Sequence, residues 1–185
     1  LADVSRAHGL LLGRMADVGM ALRDQASLAA LTEDVVKTSE IEGEVLNVQS
    51  VRSSIARRMG VDIGAVAPVD RHVDGVVEMV LDATTRATEP LTAERLFGWH
   101  AALFPTGYSG MTRIEVGQWR TDAEGPMQVV SGHVGRRKVH FQAPPAQALA
   151  AEIDRFLAWA NAETGEPTLI KAGLAHLWFV TLHPF

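Results

Sequence analysis

The sequence TLHPF at residues 181–185 places a histidine directly before a proline. Imidazole is the side chain whose ordinary pKa lies nearest neutrality, so it can act as a general acid or base in catalysis. Proline disfavours the helical conformation for the residue before it, which predicts that a helix ends at or near His183. At a helix C-terminus the dipole favours the charged form of the imidazole. The alternative is that His183 only caps the last carbonyl groups of the helix.

A carboxylate in the segment KTSEIEGEV is the second candidate for chemistry. On a helix, Glu42 falls on a mainly apolar row that includes Val35 and Val45. A carboxylate on a core-facing row must be paired or hydrogen-bonded, or its pKa must shift. Gly43 follows directly, and a glycine inside a helix costs about 1 kcal/mol relative to alanine. Glu42 therefore either reaches into a site made by another segment, pairs with a core arginine, or lies at the rim of the helix.

The elements that must position these residues are mainly helical. The first sixty residues contain no proline and predict helices, with a break near Gly19 and a long helix over about 28–58. Two short runs of β-prone residues, 127–131 and 137–142, predict a hairpin after a loop over 105–126. The other predicted helices cover residues 70–86, 93–104, 146–163 and 166–183. The fold class is therefore all-α with one small β-hairpin.

The segment RRMGVDIGAVAP contains the strongest break in the helical pattern. We place the domain boundary there, which gives a helical region over 1–60 and a second region over 61–185.

Composition excludes several classes of protein. There is no cysteine, so the chain has neither a disulfide framework nor a cysteine-based metal site. His176 and His183 lie roughly 10 Å apart along a helix, too far to share one metal ion, and His176 is expected to pack in the core. No apolar run approaches the roughly 20 residues of a membrane span. The net charge of −5 counts against nucleic-acid binding through RRMG and GRRK. With no secretory signal, we expect a cytoplasmic protein.

Several of these segments together resemble the Fic (filamentation induced by cAMP) family. LHPF after AGLAHLWFVT resembles the opening of its core motif, His-Pro-Phe-x-(Asp/Glu)-Gly-Asn-Gly-Arg-x-x-Arg. TSEIEG matches the inhibitory pattern (Ser/Thr)-x-x-x-Glu-(Gly/Asn), with Thr38, Glu42 and Gly43 in the defining places. VRSSIARRMG resembles the helical region that bacterial members carry before the core. VGQWR and the hairpin ending in FQAPP resemble the segment before the core and its flap. The resemblance covers about 28–185 and implies a helical bundle of the Fic type.

The activity that this resemblance implies is transfer of AMP from ATP, with Mg²⁺, to a Ser, Thr or Tyr hydroxyl of a target protein. His183 would be the base, and Phe185 would pack the motif loop into the core. Glu42 would inhibit by binding the last arginine of the motif in competition with the γ-phosphate of ATP. The flap would pair with the main chain of the target through Val129, Val130 and Ser131, whose alternative role is ordinary hairpin packing. The target can be the enzyme itself, and a homodimer is implied.

The metal carboxylate, the phosphate-binding residues and the arginines follow His-Pro-Phe in the family motif, and residues 1–185 do not include them. We therefore expect the chain to be an incomplete part of a longer enzyme, inactive by itself and without a metal site of its own. The alternative is a non-catalytic helical module that lends Glu42 to the active site of another chain.

Overall fold

The computed structural model of the chain describes residues 2–16, 20–133 and 135–185. Over these residues the helices are α1 (Ala2–Ala16), α2 (Met20–Ile41), α3 (Val48–Met59), α4 (Arg71–Thr85), α5 (Ala93–Leu103), α6 (Ala146–Asn161) and α7 (Thr168–Leu182). The strands are β1 (Tyr108–Ser109), β2 (Thr112–Arg113), β3 (Gln128–Ser131) and β4 (Lys138–Gln142). The helical architecture with a hairpin before α6 is confirmed. The break predicted near Gly19 lies outside the described residues.

The chain forms two compact units, Leu1–Leu81 and Asp82–Phe185. The core of the first unit consists of apolar side chains from α2, α3 and α4 that are at most 2% exposed. They are Leu28, Val35, Val51, Ile55, Ala56, Val73 and Val77. Full burial of one such side chain stabilises the fold by about 1.5–3 kcal/mol. Buried polar groups join the helices as well, since Ser54 Oγ donates to the Asp74 carboxylate at 2.5 Å.

The long helix predicted over 28–58 is wrong, because the chain leaves the helix at the end of α2. Gly43 has a φ of 85°, which a right-handed helix cannot contain. The amide of Gly43 donates to Glu40 O at 3.1 Å and that of Glu44 to Ser39 O at 2.8 Å, so the turn is a Schellman motif. Asn47 Oδ1 then accepts from the amide of Ser50 and caps α3. Gly43 is a helix C-cap and not a glycine inside a helix.

In the second unit, the side chain of Asp82 connects the end of α4 to α5. Its carboxylate accepts from Arg95 Nη2 at 2.9 Å, from Trp99 Nε1 at 2.8 Å and from Arg86 Nη1 at 2.8 Å. Burial raises the pKa of the Asp82 carboxyl, but the hydrogen bonds from these three side chains outweigh that effect and hold the pKa below its usual range. The carboxylate therefore stays ionised, and the network fixes α5 against the end of α4.

Helices α6 and α7 form the core of the second unit. The buried side chains are Leu149, Ile153 and Phe156 of α6 and Leu182 of α7, and Trp159, Trp178 and Phe179 pack around them. The aromatic pairs lie at ordinary packing distances, such as 5.7 Å between the ring centres of Phe156 and Trp178. Although α7 is the most apolar helix, none of the helices in the described ranges has the length and apolarity that a membrane span requires.

Over the described residues, two antiparallel hairpins are present where one was predicted. The predicted strands correspond to β3 and β4, in which Val129 lies opposite Phe141 and Val130 opposite Val139, with an irregular register between the two pairs. The second hairpin, β1–β2, lies in the segment predicted to be loop. Its strands are two residues long, too short to carry an alternating pattern, and Gly110 supplies the positive φ of its turn.

Candidate functional site

His183 is the C-cap residue of α7. Its φ of 46° makes it the one non-glycine residue in the described ranges with a left-handed backbone. Its amide donates to Phe179 O at 3.1 Å, so the last turn of the helix closes before the chain turns away. A left-handed conformation costs a side-chain-bearing residue on the order of 1–2 kcal/mol, and such strain clusters at functional sites. The backbone of this segment is therefore held in place by its surroundings.

The imidazole of His183 is half-buried, and its Nδ1 lies 3.2 Å from Phe185 O. Because a carbonyl oxygen only accepts hydrogen bonds, Nδ1 carries the proton in this contact. In the neutral imidazole, Nε2 is then left with a free lone pair. This is the arrangement that a general base needs, with one ring nitrogen oriented by the protein and the other available to take a proton.

The guanidinium of Arg120 holds the backbone around His183. Its Nε donates to His183 O at 2.6 Å and its Nη2 to Leu182 O at 3.4 Å. The amide of Arg120 also donates to Pro184 O at 2.8 Å. The last carbonyl groups of a helix have no partner within the helix, so these bonds satisfy the end of α7. They also supply the restraint that the left-handed conformation of His183 requires.

The same guanidinium reaches the segment between the hairpin and α6. Nη2 of Arg120 donates to Pro144 O at 2.6 Å, and Nη1 pairs with the Asp122 carboxylate at 2.9 Å. Asp122 in turn accepts from the amide of Ala146 at the start of α6, at 2.7 Å. The Arg120 side chain is only 9% exposed, so this pairing offsets the cost of removing the guanidinium from water. One buried arginine thus connects the base of the hairpin to the backbone of His183.

Phe185 packs in an aromatic cluster next to this segment. Its ring stacks on His100 with centres 4.1 Å apart and lies 5.3 Å from Trp119 and 6.3 Å from Phe179. His100 is buried, and its Nδ1 accepts from the amide of Gly117 at 3.3 Å. Burial lowers the pKa of His100, and an accepting nitrogen requires the neutral ring. Rings on three sides thus fix the chain two residues after His183.

The hairpin residues predicted to dock a target are exposed. Val129 is 51% and Val130 41% exposed, and Ser131 Oγ lies 2.6 Å from Nε2 of His140 on the neighbouring strand. Within the described ranges β3 pairs with β4 alone, so the other edge of β3 presents unpaired main-chain groups. Such an edge can accept a further strand.

Thr38, Glu42 and Gly43 lie in the first unit, at the end of α2. All three are exposed, and the Glu42 side chain has no ion pair or hydrogen bond with any residue that the structure describes. The prediction that Glu42 lies on a core-facing row is wrong. Val35 is 1% exposed, but Val45 on the same predicted row is 88% exposed, because the chain leaves the helix at Gly43.

The comparisons with known proteins decide the family. The model of the Fic/DOC family matches residues 90–185, which is more than half of the chain. The chain belongs to the Fic/DOC family. Members of this family typically transfer nucleotide monophosphates to proteins. A second model, that of a domain of unknown function (DUF4172), matches residues 1–61.

One solved structure similar to this Fic/DOC chain is that of a Fic family protein from Desulfovibrio desulfuricans G20. The two are 20% identical with a TM-score of 0.47, and the match covers 91% of this chain and 53% of that one. The present chain thus spans about half the length of that protein. A search of the curated proteins found no match.

Two residues of the Fic/DOC site have no role in the sequence-based prediction. Arg120 is the last residue of VGQWR, a segment predicted only to precede the core. Its partners Pro144 and His183 lie 24 and 63 residues further along the chain, so no local pattern reveals them. The burial of His100 has the same long-range origin, since it depends on the ring of Phe185. The role of Arg120 could have been found only by a rule that relates an arginine to the end of a distant helix.

In the ranges that the structure describes, no group of three or more His, Asp or Glu residues could hold a metal ion. The prediction that His176 packs in the core is wrong, because its side chain is exposed. A cleft of about 670 Å³ beside Phe185 is lined by His100, Arg113 and Arg120 among others, but not by His183.

Arg120→Ala is expected to lower the free energy of unfolding by about 3 kcal/mol, because it removes the charged partner of the Asp122 carboxylate and the donor to several carbonyl groups. Arg120→Lys keeps the positive charge but not the planar guanidinium with its several donors. The free energy of unfolding of this variant should therefore lie between those of Arg120→Ala and the wild type. Denaturation by urea measures both. Arg155→Ala is the matched control, since the Arg155 side chain is 65% exposed. An Arg120→Ala variant as stable as Arg155→Ala would contradict the role assigned to Arg120.

Proposed function

We propose that the intact protein transfers AMP from ATP to the hydroxyl group of a protein side chain, and that Glu42 inhibits this transfer. The observation that carries the proposal is the geometry of His183. Its backbone is held in a strained conformation, its Nδ1 faces Phe185 O, and its Nε2 has no hydrogen-bond partner among the described residues. Membership of the Fic/DOC family supports transfer of a nucleotide monophosphate.

In the proposed reaction, Nε2 of His183 takes the proton of the target hydroxyl. The hydroxyl oxygen then forms a bond to the α-phosphorus of ATP, while the bond from that phosphorus to the bridging oxygen breaks and pyrophosphate leaves. A protein hydroxyl is a weak nucleophile, so a positioned base contributes about 10²–10⁴-fold to the rate. In the family motif the metal carboxylate and the phosphate-binding residues follow His-Pro-Phe, so no step through Mg²⁺ is assigned to residues 1–185.

The hairpin is proposed to bind the target by strand addition. The free edge of β3 at Val129, Val130 and Ser131 would pair with the main chain of an extended target segment. Pairing through the main chain would hold the target backbone at a fixed distance from the hairpin. The target hydroxyl would then be presented to His183, whose carbonyl group shares Arg120 with Pro144 at the base of the hairpin.

Inhibition is proposed to come from the carboxylate of Glu42. A carboxylate at the C-terminus of a helix is unfavourable by about 0.3–1 kcal/mol, because the helix dipole is negative there. The Glu42 side chain is exposed at such a position and has no partner among the described residues of its unit. We propose that it pairs with the last arginine of the family motif and so competes with the γ-phosphate of ATP. The Schellman turn at Gly43 would hold the carboxylate at the tip of α2.

Labelled ATP tests the proposed reaction. The intact protein is incubated with Mg²⁺ and with ATP labelled either in the α-phosphate or in the γ-phosphate, and protein-bound label is measured. We expect the α-label to be retained and the γ-label to be released, with a mass increase of one AMP group. Retention of the γ-label would show phosphate transfer and overturn the proposal. No label in either case, also for Glu42→Gly, would favour a regulatory module that lends its exposed Glu42 to another chain.

A further inference from the structure

We infer that the hairpin selects target segments that carry acidic residues. The surface concerned is the basic tip, formed by Arg136, Arg137 and Lys138 at the turn of the β3–β4 hairpin. The inference names the class of target for the proposed function and rests on that function for the modified hydroxyl group. The evidence comes from the charges, the turn and the exposed apolar side chains of the hairpin.

The three side chains of the basic tip are exposed and have no ion pair within the described part of the chain. No carboxylate in the described ranges forms an ion pair with any of them. Four other arginines of the same unit do have carboxylate partners, while Arg113 has none in the described ranges; the four are Arg86, Arg95, Arg120 and Arg155. The chain as a whole carries a net charge of −5. The basic tip is therefore a local positive surface on an acidic protein, and its charges are available to a partner.

Two backbone contacts of described residues lie next to the basic tip. Gly132 has a φ of 97°, and a Cβ atom at this position would lie 2.3 Å from Arg136 O. The amide of Arg136 donates to His133 O at 2.9 Å and closes the turn. No other residue type fits at Gly132, because both the backbone conformation and the space exclude a side chain. The basic side chains thus leave the hairpin from a defined place next to the end of β3.

Exposed apolar side chains lie along the strands next to the basic tip. The exposed fractions are 51% for Val129, 41% for Val130, 50% for Val139 and 38% for Phe141. Apolar groups exposed beside charged ones are typical of protein interaction surfaces. Together with the free strand edge, they fit an extended peptide that adds to the hairpin and packs its side chains on these residues.

An acidic peptide fits this surface better than a nucleic acid does. The negative net charge of the chain would repel a phosphate backbone, which also has no peptide groups to pair with a strand edge. An acidic peptide strand can form hydrogen bonds with the edge of β3 and ion pairs with the basic tip. The base of the hairpin shares Arg120 with His183. Lys138 of the basic tip lies six residues before Pro144 at the base, about 20 Å along an extended strand at roughly 3.3 Å per residue. We therefore place the acidic residues of the target about six residues from the modified hydroxyl.

The experiment measures binding of short fluorescent peptides to the intact protein by anisotropy. Each peptide has one central serine, and a cluster at one end contains glutamate, glutamine or lysine. The hairpin variant is Arg136→Glu, Arg137→Glu, Lys138→Glu. The matched control carries the same charge change at three exposed arginines without ion pairs in the described structure; they are Arg6, Arg14 and Arg71. Transfer of AMP to each peptide is measured in parallel.

We expect the glutamate peptide to bind about tenfold more tightly than the glutamine peptide, since a few exposed ion pairs together correspond to that factor. The preference should weaken with salt and disappear in the hairpin variant but not in the control. Equal binding of all peptides, or an equal loss in the control, would overturn the inference. So would tighter binding of a single-stranded oligonucleotide that the hairpin variant loses.

The two readouts separate this inference from the proposed function. Peptide preference at the basic tip without AMP transfer to any peptide or to the protein itself would leave the docking surface in place and refute the proposed reaction. AMP transfer without any preference for the glutamate peptide would support the proposed reaction and refute the docking surface. The binding assay contains no ATP, so a failure of the chemistry cannot imitate a failure of docking.

Discussion

His183→Ala is expected to reduce AMP transfer about a thousandfold, measured in the Glu42→Gly background where inhibition is removed. The proposed role of the imidazole is to take the proton of the target hydroxyl, and a positioned base contributes about 10²–10⁴-fold to a rate. Alanine supplies no group that can accept a proton. The rate is measured as label transferred from the α-phosphate of ATP to the protein.

The backbone at His183 requires a second variant as a control. A φ of 46° is strained for alanine, so His183→Ala also disturbs the end of α7. Asparagine adopts left-handed conformations more readily than other non-glycine residues, so His183→Asn should keep the fold while it removes the base. We expect His183→Asn to unfold at the wild-type temperature and to be as inactive as His183→Ala. Transfer by a folded His183→Asn variant would show that the base lies elsewhere.

Glu42→Gly is expected to increase AMP transfer by about tenfold or more. A hydrogen bond to a charged group contributes about 1.5–3 kcal/mol, which corresponds to roughly 10- to 100-fold in the competition with the γ-phosphate. The apparent affinity for ATP should increase together with the rate, because the carboxylate and the phosphate compete for one arginine. Titration with ATP at constant enzyme concentration measures both quantities.

Glu40→Gly is the matched control for this prediction. Glu40 is an exposed carboxylate two residues before Glu42, in an ion pair with Lys37. We expect it to leave AMP transfer unchanged. An equal increase in both variants would mean that loss of local charge or of helix stability is responsible. No increase in either would exclude Glu42 as the inhibitory residue.

The sequence predicted the elements whose signals are local. Pro184 predicted the end of α7 because a proline acts on its direct neighbour. The strands of the β3–β4 hairpin followed from short β-prone runs around Gly132. The break between α2 and α3 was missed because a glycine signals either a tolerated helix interior or a C-cap, and the residues on both sides of Gly43 favour helix. Only the hydrogen bonds of Gly43 and Glu44 decide between the two.

The contacts that hold the candidate site could not be predicted in the same way. The sequence singled out His183 and Phe185 through a short motif, but the residues that fix them come from distant segments. Arg120 binds carbonyl groups on both sides of α6, and His100 stacks on Phe185 from α5. Such contacts depend on how helices pack, and no periodicity or capping rule along the chain specifies them.

The turn at the end of α2 also explains a feature of the inhibitory pattern that concerns which substitutions evolution can accept. The pattern (Ser/Thr)-x-x-x-Glu-(Gly/Asn) permits two residues at its last place, which Gly43 occupies here with a φ of 85°. Glycine and asparagine are the two residues that most readily adopt a left-handed backbone at a helix C-terminus. The last residue of the pattern is thus required for its backbone conformation, while the glutamate before it is required for its charge. Substitution of the last residue is therefore limited by backbone geometry even in a family member that no longer needs inhibition.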